Sequence, residues 1–97
     1  MNLHPKTEQL LGKMGSDLKT WRVVQGLTAS RVADRAGITR TTLRDIENQP
    51  GSVRLENFLA VLAVLGLDET VAAAIDPTQS IRGQTLLTAA VRKDLAR

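Results

Sequence analysis

The stretch Thr28-Ala29-Ser30-Arg31-Val32-Ala33-Asp34-Arg35-Ala36-Gly37-Ile38-Thr39-Arg40-Thr41-Thr42-Leu43-Arg44-Asp45-Ile46-Glu47 decides the fold. Thr28 is a good N-cap, and Val32, Ala33 and Ala36 follow it at helical spacing. Gly37 stops this short helix by supplying the left-handed conformation that a sharp turn needs. Thr39 caps the next helix, in which Leu43 and Ile46 lie on one side. Two helices crossing steeply need a small residue at closest approach, and Ala33 provides it. Ile38 plugs the corner, while Leu43 and Ile46 pack the later helix back onto its predecessors. The spacing predicts two helices joined by a tight turn.

The other side of the later helix has a different chemistry. At about 100° per residue, Arg40, Thr41, Arg44, Asp45 and Asn48 fall within an arc of roughly 140°. That face holds no apolar residue and carries two guanidinium groups at i and i+4. Arg suits the O6/N7 edge of guanine, and Thr can bond a base or touch a thymine methyl. Asp45 has two readings, accepting from cytosine N4 or orienting Arg40 or Arg44. Thr42 lies toward the packing side and reads as structural.

Outward from this stretch, helical punctuation continues. Leu11, Met14, Leu18 and Trp21 predict a first helix from about residue 7 to 25, ending at Gly26, with Gly12 and Gly15 weakening its start. Gln49-Pro50-Gly51-Ser52 is a turn signal. A fourth helix follows from about Leu55 to Leu65 and ends at Gly66. Asp68 opens a fifth through Ile75, stopped by Asp76-Pro77. Leu86, Leu87, Ala90 and Val91 regain helical spacing in the tail, against Gly83. The expected fold class is all-α: a compact bundle of about five helices containing a helix-turn-helix, with a helical or flexible C-terminal tail. The expected domains are a helix-turn-helix domain over 1–76 and a tail over 77–97.

Composition narrows the function classes. The 97 residues, 42% apolar and 24% charged, make one modest domain with a net charge of +3 and a sequence pI near 10.0. Residues 18–54 hold seven Lys and Arg against Asp34, Asp45 and Glu47, whereas residues 55–76 hold four acids and no base. A basic block followed by an acidic, apolar one predicts a polyanion-facing side and a packing side. There is no Cys, which fits a reducing cytoplasm and excludes a thiolate metal site. His4 is the only His and falls in an N-terminal stretch expected to be mobile, so neither a catalytic triad nor a His-based metal site is expected. No catalytic residue, metal or cofactor is expected. No apolar run approaches the roughly 18 residues of a membrane span.

Leu27-Thr28 through Glu47, with the closing Leu-Ala-Val-Leu-Gly-Leu of the fourth helix, resembles the Cro/phage-repressor-like (XRE-type) DNA-binding family. The resemblance runs from about Leu18 to Leu67. It implies a bundle of about five helices working as a symmetric dimer. By resemblance, Thr39, Arg40, Thr41, Arg44 and Asp45 occupy base-reading positions, and Asn48 with the following loop occupies phosphate-contact positions. Arg22 matches a family Arg that pairs with the recognition-helix Glu, here Glu47. The family usually places a phosphate-binding Gln after the Thr that opens its second helix. This chain has Ala29 there, so Ser30 or Arg31 is the expected substitute. Arg54 is either a further phosphate ligand or a plain solvated Arg.

The run from Phe58 to Leu65 is apolar at every position, more than one buried face explains. The expected outlet is a homodimer interface formed by Phe58, Val61, Leu62 and Leu65, the alternative being a central core helix of a monomer. The expected function is sequence-specific binding of double-stranded DNA at a palindromic operator, as a transcriptional repressor. The rival reading keeps the fold as a protein-interaction module. The tail also resembles that of short XRE-type proteins encoded beside Hip-type kinase toxins, which implies an antitoxin role and a kinase-type toxin as partner. It reads equally as a dimer-capping element or a disordered basic arm.

Overall fold

The computed structural model describes residues 3–95. Six α-helices account for most of them: α1 (Pro5–Val24), α2 (Ala29–Ala36), α3 (Arg40–Asn48), α4 (Leu55–Leu65), α5 (Asp68–Ile75) and α6 (Ile81–Leu95). Short 3₁₀ turns, Pro50–Ser52 and Pro77–Gln79, precede α4 and α6. The described residues form no strand. The chain divides into two compact units, Met1–Leu67 and Asp68–Arg97, so α5 groups with the C-terminal segment.

In the first unit the caps set the helix limits. The Thr28 hydroxyl accepts from the Arg31 N–H at 3.1 Å, and the Thr39 hydroxyl accepts from the Thr42 N–H at 3.0 Å. Gly37 closes α2 at φ 70° and Gly66 closes α4 at φ 79°. The core joins Leu18 of α1, Val32 and Ala33 of α2, Leu43 and Ile46 of α3, and Val61, Leu62 and Leu65 of α4. The Gln25 side chain donates to the Leu65 carbonyl at 3.0 Å, which ties the end of α1 to the end of α4.

The first helix departs from expectation at its start. The first helix is continuous from Pro5, and the glycines expected to weaken its start do not interrupt it. Gly15 is instead the place where α1 comes closest to α3: a Cβ there would stand 2.5 Å from the Glu47 carbonyl oxygen and 2.8 Å from that of Ile46. His4 caps α1 by accepting from the Lys6 N–H at 3.1 Å. Of the apolar positions along α1 only Leu18 is buried, and Trp21 stays 46% exposed.

The surplus on α4 is also distributed differently. Val61, Leu62 and Leu65 are taken up by the core of their own unit, and Phe58 is half-buried. Those three side chains are therefore not available to a second copy. Leu55 and Leu59 are the large apolar side chains that α4 leaves exposed.

The C-terminal unit has no large buried side chain among its described residues. Its one buried residue is Gly83, pressed so closely on the Pro77 backbone that no Cβ fits. The Gly83 N–H donates to the Ser80 hydroxyl at 3.0 Å. At the start of the turn, hydrogen bonds from the Thr78 N–H and hydroxyl hold the exposed Asp76 carboxyl below its ordinary range. Leu86, Leu87, Val91 and Leu95 are all exposed on α6.

Candidate nucleic-acid interface

The third helix is built to face two ways. Leu43 and Ile46 are 1% and 0% exposed and fasten one side to the core. Arg40, Thr41, Arg44, Asp45 and Asn48 are all exposed on the other side, with Thr39 at the cap. Thr42 is half-buried, and its hydroxyl accepts from the Thr39 hydroxyl at 2.9 Å, so it serves the cap.

One ion pair holds α3 against α1. The Arg22 Nε donates to Glu47 Oε2 at 2.8 Å and its Nη2 donates to Oε1 at 3.2 Å. The third contact of the same guanidinium, from Nη1, reaches the Leu27 carbonyl at 3.1 Å, at the entrance to α2. The two side chains are only 12% and 9% exposed, and such two-point pairing fixes orientation as well as distance. The hydrogen bond to Glu47 is the chief reason that the guanidinium holds its proton more tightly than a free Arg; burial opposes it and the Glu47 charge adds to it.

The remaining candidates lie on other elements. Ser30 and Arg31 are exposed in the first turn of α2. Arg54 is exposed before α4 and lies 3.2 Å from Glu56, a pair too solvated to hold either group firmly. Phe58 lines an apolar cleft with Leu11, Met14, Pro50, Val53 and Leu55, away from the polar face of α3.

A second cleft, of about 440 Å³, opens where α1, the start of α2 and α3 meet. Arg40, Arg44 and Asn48 border it from α3, Arg22 and Lys19 from α1, and Ala29 from α2. Lys19 was not singled out as a site residue from the sequence. The available signal was its position three residues before Arg22, which places both on one face of α1. Ala29 contributes only a methyl group, which leaves the cleft open.

This arrangement can present cations and hydrogen-bonding side chains to a polyanion from a rigid helix. No curated protein matches the chain. A family model described as Helix-turn-helix matches residues 18–71, which spans all of α2, α3 and α4 and more than half of the sequence. Residues 18–71 thus carry both the match and the polar helix face, and the chain belongs to the XRE-type helix-turn-helix family of DNA-binding regulators.

Proposed function

We propose that the protein is a sequence-specific repressor that binds a palindromic operator as a homodimer, in the cytoplasm where that DNA lies. The exposed polar face of α3 carries this reading, because Arg40 and Arg44 project from a helix whose other side is locked in the core. Thr39, Arg40, Thr41, Arg44 and Asp45 read base edges, and Ser30, Arg31, Asn48 and Arg54 contact phosphates. Duplex selection from a random pool should return a two-fold symmetric motif with half-site centres about 34 Å apart. On the selected duplex, Arg40→Ala and Arg44→Ala should each lose about 1–3 kcal/mol, with smaller losses on unrelated duplex. Equal losses on both would make these residues phosphate ligands only. Failure to retain any duplex would favour a protein-interaction module.

The homodimer reading draws support from the C-terminal unit. A segment of this size buries too little apolar surface to be stable alone, and α6 leaves Leu86, Leu87, Val91 and Leu95 exposed. A second copy of the unit would cover them. The same exposed side chains favour a second reading, in which the tail docks a kinase-type toxin and the protein is its antitoxin. Co-expression with a Hip-type kinase toxin separates the two: a stable complex formed through α6 supports the antitoxin role, and its absence favours the homodimer.

A further inference from the structure

Lys19 sits on α1 between two fixed points. One turn earlier, Gly15 brings the α1 backbone against the Glu47 carbonyl. Three residues later, Arg22 grips the Glu47 carboxylate. Lys19 is therefore held beside α3 by contacts on either side of it, and it borders the cleft that Arg40 and Arg44 border from α3. Among the described residues Glu47 is the only carboxylate lining that cleft, and both its oxygens are occupied by Arg22. Lys19, Arg40 and Arg44 make no ion pair among the described residues. The described lining of the cleft is left with an excess of positive charge and no carboxylate oxygen free of Arg22.

Its position selects the ligand. An α-helix with side chains is about 10–12 Å across, and the major groove is about 12 Å wide. A helix lying in that groove is flanked by the two phosphate backbones, so a cationic cleft along its side meets a phosphate before it meets a base edge. We infer that this cleft receives one backbone phosphodiester of the bound duplex, with Lys19 as its principal cation. The contact sets how deeply α3 enters the groove. This inference rests on the DNA-binding reading above.

The full chain and its Lys19→Gln and Lys19→Arg variants should be titrated against the selected duplex and an unrelated duplex by fluorescence anisotropy, at several salt concentrations. Lys19 is exposed, so both variants should melt as the parent does. Lys19→Gln should weaken both duplexes alike and make the plot of log affinity against log salt shallower by about 0.9. Between about 50 and 200 mM salt, its deficit should shrink about 3- to 4-fold. Lys19→Arg should keep the parental slope. An unchanged slope in Lys19→Gln, or a loss confined to the selected duplex, would overturn the inference while leaving DNA binding intact. A parent chain that binds neither duplex at low salt would overturn both readings.

Discussion

Arg22 joins three segments through one guanidinium: the end of α1, the Leu27 carbonyl before α2, and Glu47 near the end of α3. Removing one member of so sheltered a pair leaves the other charge without compensation, which costs up to about 3–5 kcal/mol. Glu47→Ala should accordingly lower the thermal midpoint by several degrees or more in a domain of this size. The double change Arg22→Met with Glu47→Leu should recover most of that loss, because it removes both charges and fills the space. A calorimetric scan distinguishes these outcomes, and an unaltered midpoint for Glu47→Ala would deny the pair its structural role. The pairing was accessible in the sequence only through family resemblance, since no spacing rule links residues 25 positions apart. Lys19 was less legible still. A lone exposed Lys gains meaning only when α1 is laid across α3, and that crossing depends on Gly15.

At the scale of elements, two glycines one turn apart in α1 should behave oppositely. Nothing lies within 4 Å of a Cβ built at Gly12, so Gly12→Ala should stabilise the helix by roughly 0.5–1 kcal/mol. Gly15→Ala would drive a methyl group into the α3 carbonyls, so it should lower the melting point and weaken DNA binding by displacing α3. Paired melts of the two variants check this, and an equal response at both positions would remove the close approach as an explanation. Helix propensity treats both glycines as defects, which is why the sequence predicted a weak start. The caps at Thr28 and Thr39 and the stops at Gly37 and Gly66 were legible because their chemistry is local. The destination of the α4 apolar run was not. Periodicity shows that Phe58 to Leu65 holds more than one apolar face, but only packing assigns Val61, Leu62 and Leu65 to the core. The tail was under-read for a similar reason: Gly83 argues against a helix until the Pro77 turn folds against it.

For the whole molecule, the basic residues 18–54 and the acidic residues 55–76 carry opposite net charge in one chain. If α6 joins two copies, Leu87→Glu with Val91→Glu should convert a dimer into a monomer while leaving the core of the first unit unaltered. Sedimentation would show the change in mass, and affinity for a two-fold operator should fall much further than affinity for a single half-site. A variant that stays dimeric would move the interface elsewhere, with Leu55 and Leu59 as the next exposed candidates. The sheltered position of the Arg22–Glu47 pair has a consequence for turnover on DNA. Salt weakens contacts between exposed charges and phosphates, but it screens a partly buried pair much less. A rise in ionic strength should therefore detach the protein without melting its reading head. The released molecule is at once competent for another encounter, so occupancy can follow the surroundings with no refolding delay.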